Sequence, residues 1–363
     1  MSMMETTNQD RSAELLEQVR QALASKTALR IRGGGSKDFL GRAVQGQELS
    51  LLGHQGVVDY DPAELVVTVR AGTSLAALDQ VLREQGQGLP FESPEFDGRA
   101  TVGGAMACGL SGPRRPWAGS LRDYVLGCRL ISGMGSHLRF GGQVMKNVAG
   151  YDVSRLMVGA QGGLGVITEV SFKVLPRPRS AHSLVLDAEH GDLADLLRRW
   201  RDESRPISGM AWQDGRLHVR LEGGDSSVRL ARQDLGGEAL DASYWDDLRE
   251  CRLAFFQNPA PLWRIALPVD APVLTWPGEI LVDWGGSQVW LKSDAAPEMI
   301  HQQARNAGGH ARCWSGAAAG QDALPESLLG WHRRLKEQLD PAHIFNPGRL
   351  FAVPESEPTC KHI

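Results

Sequence analysis

Cysteine is scarce in this chain: five among 363 residues, at positions 108, 128, 251, 313 and 360. No two stand as CxxC, and no spacing fits a zinc or iron–sulfur ligand set. Scattered reduced thiols are expected, with no metal site and no cluster through which the chain could relay electrons. Long apolar runs are also missing. No window reaches the roughly 18 uninterrupted apolar residues of a membrane-crossing helix. The net charge is −4 and there is no basic tract, which argues against a nucleic-acid partner. The opening residues, MSMMETTNQDRSAELLEQ, are acidic and polar and lack the basic-then-apolar pattern of a secretory signal. The expected location is the cytoplasm, with any contact to the inner membrane made through partners. A P-loop, GxxxxGK[ST], is absent, and no internal repeat or low-complexity tract is present.

Glycine is abundant, at 42 residues. That number implies many tight turns or places where backbone must approach something closely. At about 150 residues per domain the length suggests two domains. Periodicity predicts helices over residues 12–24, 193–201, 244–252, 297–307 and 327–339. A further helix carrying Leu75, Leu78, Val81 and Leu82 is capped from residues 71–73 and ended by Gly86 and Gly88. Strands are predicted at 28–32, 65–69, 123–131, 166–174, 216–222, 263–267, 279–284 and 288–292, with 136–140 as a hairpin partner across Gly133-Met-Gly135. Pro176-Arg-Pro178-Arg reads as a linker and a domain boundary. Beyond it the strands look like antiparallel hairpins interleaved with helices, an α+β texture.

Three glycine clusters each stand at the edge of a strand. Arg32-Gly-Gly-Gly-Ser-Lys37 follows one directly. Positive φ at glycine lets successive backbone N–H groups point to one side, making an anion nest; a simple glycine turn is an equal reading of this stretch alone. No long helix follows, so a Rossmann GxGxxG site is not formed. Residues 101–113, TVGGAMACGLSGP, are dense in small and hydroxyl residues. They suit a loop laid against a flat ligand, or a tight surface loop, and Gly119, Ser120, Arg122 and Asp123 follow them. Gly162-Gly-Leu-Gly165 leads straight into Val166-Ile-Thr168 and can present backbone groups edge-on to a heterocycle. Three such loops favour one extended cofactor over three unrelated turns.

RGGGSK, TVGG-x4-GLSG, GSLRDYV, KNVAGYDVSRLMVGAQGGLGVITEV and DPAHIFNPGR together resemble the vanillyl-alcohol-oxidase (PCMH-type) FAD-binding family. Within it the similarity is to the FAD-binding subunits of bacterial glycolate oxidases, across nearly the whole chain. The resemblance implies an α+β fold: a PCMH-type FAD-binding domain of two subdomains over residues 1–178, a reduced α+β cap domain over 179–326, and a C-terminal helix and FNPGR segment, 327–363, packing back toward the flavin. By the same resemblance Gly33, Gly34, Gly35, Ser36 and Lys37 hold the FAD pyrophosphate. Thr101, Val102, Gly103, Gly104, Cys108, Gly109, Ser111 and Gly112 line the ribityl and diphosphate. Gly163, Gly165, Val166 and Ile167 meet the flavin ring, and Asn346 and Arg349 return to it. Gly119, Ser120, Arg122, Asp123, Lys146 and Tyr151 are counted with the cofactor site.

Two departures from the family pattern matter. Some relatives carry a histidine in the RGGG loop that bonds covalently to the flavin; Ser36 stands there, so the FAD is expected to be non-covalent. The HxxGDGNxH-like cluster of the larger 2-hydroxy-acid dehydrogenases is absent, and none of the ten histidines forms a paired motif. Oxidation of an α-hydroxy acid needs a base near the hydroxyl and a cation for the carboxylate. Arg349, Lys146 and Tyr151 supply polarity, no base stands out, and His310 and Arg349 are the candidates to test. The expectation is a flavoprotein subunit of a complex that oxidises glycolate and D-lactate, with a larger flavin-containing catalytic subunit and an iron–sulfur subunit as partners. A structural subunit that uses flavin little, and a self-sufficient FAD oxidase, are the alternatives.

Overall fold

A computed structural model describes residues 8–142, 152–316 and 326–352. The first half is built on a five-stranded antiparallel sheet. Its order is Val57–Asp61, Val66–Arg70, Val166–Lys173, Val125–Ile131, His137–Gly141. The inner strands are β-branched and almost wholly buried, as a covered sheet requires. A short parallel pair, Leu29–Arg32 with Gln47–Ser50, stands apart from it.

Helix Leu75–Glu84 begins one residue later than the sequence suggests. Ser74 is its N-cap, accepting from the Ala77 amide at 3.1 Å. Thr73 is not free to cap, because its hydroxyl accepts the Gly56 amide at 2.8 Å. Leu78 and Leu82 point inward and are fully buried with Phe91, Phe172 and Met106.

Residues 101–113 are not a loop throughout. Val102–Cys108 is a helix with Thr101 as its N-cap and Gly109, at φ +65°, as its C-cap. Its glycines reflect close packing: a Cβ on Gly103 would lie 2.6 Å from the Ala71 Cβ. The expected linker at 176 is tied down as well, since Leu175–Pro176 pairs with Gln87–Gly88.

The second half is one eight-stranded antiparallel sheet. Its order is Glu238–Ala239, Ser180–Asp187, Arg216–Gly223, Ile207–Gln213, Glu279–Asp283, Gln288–Lys292, Leu262–Ala266, His310–Ser315. Helices Leu193–Asp202, Asp225–Leu235 and Pro297–Asn306 bury their apolar stripes against it. Trp245, Trp263, Trp276, Trp284, Trp290 and Trp314 are all buried, so they build the core of this half rather than an exposed surface.

Polar contacts join the halves. Arg220 pairs with Glu92 at 2.8 Å and Arg114 with Glu222 at 3.3 Å. The Trp284 indole donates to the Gly112 carbonyl at 3.0 Å, and the Glu250 carboxylate accepts the Glu95 and Phe96 amides. After helix Glu326–Leu339 the chain returns to the first half: Leu29 donates to Ile344 O at 2.7 Å and Asn346 to Leu29 O at 3.0 Å.

Candidate functional site

Residues of all three glycine clusters and the C-terminal return meet at one cleft. A cavity of about 320 Å³ is lined by residues 33–37, by Thr101, Gly103, Gly104 and Cys108, by Gly165 and Ile167, and by Asn346 and Arg349. Gly162 of the third cluster also lines it, with Ile31, Ala107 and Gln161, which the sequence pattern does not single out. Of these, Ile31 could have been found from strand alternation, two residues before the glycines.

Backbone accounting says what the cleft can hold. Among the described residues, the amides of residues 33–37 find no acceptor in the protein. Buried backbone donors are almost always satisfied, and Ser36 and Lys37 are buried. Five consecutive unspent donors beside a cavity make a cradle for an anion. Gly35 sits at φ +68° and turns the loop. Lys37 adds charge. Its Nζ donates to Ser36 Oγ at 3.3 Å, stands 5.2 Å from the Phe96 ring centre, and has no carboxylate in ion-pair range among the described residues. Burial pushes its pKa down. Burial pushes the Cys108 thiol up, so this sulfur stays protonated.

The glycines divide into two kinds. A Cβ on Gly34 would lie 1.6 Å from the Arg99 carbonyl oxygen, and one on Gly33 2.3 Å from Thr101 Oγ1. Those two are small because the protein itself closes over them. A Cβ on Gly104 meets only Thr101 Oγ1, at 3.1 Å, and otherwise enters the cavity. Here the space is kept for a ligand. Donors for a diphosphate at one end and apolar walls from Ile31, Ala107 and Ile167 beside them fit a dinucleotide such as FAD.

The C-terminal residues brace the cradle. Asn346 accepts the Ile31 amide at 2.8 Å and donates to Gln161 O at 2.7 Å. Arg349 donates to the carbonyls of Lys37, Asp38 and Arg42 at 3.1–3.3 Å. Burial lowers the Arg349 pKa, with the Asp38 charge opposing the shift. Lys336 is a brace the sequence did not signal. Its buried ammonium donates to Gly163 O, Phe345 O and the Asp340 carboxylate at 2.5–2.7 Å.

Other expected residues stand away from the lining, each with a part in the fold. Gly109 ends its helix, and Ser111 Oγ accepts the Leu121 amide at 3.1 Å. Gly112 is crowded by Glu92, 2.6 Å from where its Cβ would be. Gly119 turns at φ +96°, and Ser120 and Asp123 form a reciprocal capping box. Arg122 is exposed, Val102 and Val166 are fully buried, and Gly163 is held by Lys336. His310 lies exposed on the edge strand of the second sheet, opposite Ala266, and does not line the cavity. Lys146 and Tyr151 lie outside the described residues.

Fold and cleft together define an FAD-binding protein. The FAD binding domain family model matches residues 10–141. Alkyldihydroxyacetonephosphate synthase, a solved structure, superposes with a TM-score of 0.66 over 93% of this chain and 75% of that one; at 16% identity the likeness shows the fold alone. The sequence goes further. It is 54% identical over 343 residues to glycolate oxidase subunit GlcE of Escherichia coli, covering 94% of this chain and 98% of that protein. It is 34% identical over 139 residues to glycolate oxidase subunit GlcD of Bacillus subtilis, covering 38% of this chain and 29% of that one. The chain belongs to the GlcE family of glycolate oxidase subunits, and FAD is its cofactor. Among the described residues no helix is long and apolar enough to cross a membrane.

Proposed function

We propose that this chain is the FAD-carrying subunit of a multi-subunit complex that oxidises glycolate, and D-lactate, to the 2-oxo acid. A larger flavin-containing subunit and an iron–sulfur subunit complete the complex, which works in the cytoplasm. Residues 1–178 form the FAD-binding domain, 179–326 the reduced cap, and 327–363 the returning segment. The observation that carries the reading is the run of unspent amides at residues 33–37, in a chain that matches a glycolate oxidase subunit over almost its full length.

Bound FAD supplies a two-electron acceptor. This chain's own residues hold and orient it. Residues 33–37 donate to its phosphates, Lys37 offsets their charge, and Asn346, Arg349 and Lys336 keep the loop and the 161–163 turn in place. Ser36 Oγ and the protonated Cys108 thiol are poor nucleophiles, which supports a non-covalent link. Acid precipitation of the protein tests that link: the yellow chromophore is expected in the supernatant, and chromophore in the pellet contradicts it.

Anaerobic stopped-flow mixing of the purified flavin-loaded chain with glycolate tests the function. The expected result is no bleaching of the flavin absorbance until the larger subunit is added. Bleaching by glycolate alone would make this chain an oxidase in its own right. No reduction even in the assembled complex would refute the proposal.

A further inference from the structure

A second cluster of cations lies under the eight-stranded sheet, apart from the amide cradle. Strand register builds it. Arg264 is paired across strands with Trp290 on one side and Arg312 on the other, so these side chains share the sheet face that meets the first half of the molecule. Trp314 lies two residues beyond Arg312, on the same face. The Arg264 guanidinium sits 5.0, 5.8 and 5.5 Å from the ring centres of Trp284, Trp290 and Trp314. Arg115, from the first half, stacks on Trp284 at 4.4 Å. Two guanidinium groups thus share one indole, and neither forms an ion pair among the described residues.

The nearby acid does not neutralise them. Asp283 accepts the Trp284 amide at 2.6 Å and Gln288 Nε2 at 3.1 Å. Gln288 in turn accepts Arg264 Nε at 2.6 Å and so separates the acid from the arginine. Burial raises the Asp283 carboxyl to about 7, leaving it about half uncharged near neutral pH. The Arg264 side chain is partly buried and Arg115 is exposed; desolvating a guanidinium that has no counter-charge is unfavourable, and cation–π contacts offset that only in part. Arg264 lines a small cavity of about 30 Å³ together with Arg249, Asp283, Gln288, Trp290, Trp314 and residues 110–113. That is room for about two waters, the space of one carboxylate group and too little for a sugar or a nucleotide.

We infer that Arg264 anchors a carboxylate-binding site, and that its ligand is the carboxylate of a small 2-hydroxy or 2-oxo acid. A planar fork of N–H donors matches a carboxylate bidentately. The tryptophan rings shield one side of the guanidinium from water and so strengthen the pairing. The identity of the acid as glycolate rests on the function proposed above; the anionic character of the ligand does not.

Tryptophan emission and calorimetry on the flavin-loaded chain test this with glycolate and glycolamide, its uncharged counterpart. Saturable binding of glycolate but not glycolamide is expected. Arg264→Gln is expected to weaken it about 10- to 100-fold, as loss of hydrogen bonds to a charged group does, with Arg264→Lys between and flavin content unchanged in both. Equal affinity in Arg264→Gln, or equal binding of glycolamide, would overturn the assignment. Where the variant does not fold, phenylglyoxal labelling of wild-type Arg264, read by peptide mass mapping, replaces it. Glycolate is expected to slow that labelling and glycolamide not; equal rates would overturn it. Glycolate turnover by the assembled complex is measured alongside. Turnover in a complex whose Arg264→Gln form binds and oxidises normally sinks this site alone. Carboxylate-specific binding with no turnover in the wild-type complex keeps the site and sinks the proposed reaction.

Discussion

Replacing Gly104 by alanine should separate the fold from the cofactor. The position is in the first turn of helix Val102–Cys108. The added methyl would meet one protein atom, Thr101 Oγ1 at 3.1 Å, and would otherwise project into the cleft. That hydroxyl caps the helix through a 3.3 Å bond from the Gly104 amide, and it can shift by a few tenths of an ångström. Alanine in place of a helical glycine gains about 0.5–1 kcal/mol. Weakening the cap gives back up to about 1 kcal/mol. The flavin-stripped protein should therefore unfold within about 1 kcal/mol of wild type. FAD would meet a methyl group in space it needs, an overpacking cost of about 1–3 kcal/mol, or about 5- to 150-fold in Kd. Thermal unfolding of the stripped protein and fluorescence titration with FAD read the two effects separately. Wild-type FAD affinity would refute the placement of the cofactor, and collapse of the stripped protein would refute the claim that this glycine serves a ligand. Gly34→Ala is the contrast: with the Arg99 carbonyl 1.6 Å from the new atom, the loop itself must break and both measurements should fail together.

Lys336→Met should destabilise the chain by about 3–5 kcal/mol, because it leaves the fully buried Asp340 carboxylate unpaired; an unfolding midpoint in urea equal to wild type would contradict this. Asp283 sets a pH dependence. Its folded value, about 7, lies above its ordinary 3.8, so the unfolded chain releases this proton first and stability falls as pH rises from about 4 to about 7. The loss approaches about 4 kcal/mol at most. Urea unfolding at pH 5 and pH 8 should show about 2–3 kcal/mol of that drop in wild type and a smaller one in Asp283→Asn, and equal drops would remove Asp283 as the cause. His310→Ala, on the exposed outer strand, should leave complex activity above about a tenth of wild type, a barrier change under about 1.4 kcal/mol; a deeper loss would place chemistry at that strand.

Elements with a clean period were legible. Helix Leu193–Asp202 and strands Arg216–Gly223 and Gln288–Lys292 stand where apolar spacing predicts them. Strands Ser180–Asp187, Ile207–Gln213 and His310–Ser315 did not announce themselves, since their polar or glycine-broken sequences become strands through their neighbours. Helix Val102–Cys108 looks like a loop in sequence because glycine and alanine carry no period.

The site divides in the same way. Residues 33–37 could be found from sequence because a glycine run after a strand has a local physical meaning: positive φ and exposed amides. The small and hydroxyl residues from 109 to 123 looked alike on that ground, yet they cap helices and seat Trp284, and only packing tells the two uses apart. The sequence by itself determined the α+β class and marked residues 33–37 as a place where backbone amides can turn to one side, because each follows from residue type and spacing along the chain. Tertiary structure alone decided which glycines leave room for a ligand, that Asn346, Arg349 and Lys336 brace the 33–37 loop and the turn at Gly163 from far along the chain, and that Arg264 lies among tryptophans with no ion pair among the described residues. Those facts depend on strand register and on which surfaces are buried together, and neither is written in local sequence.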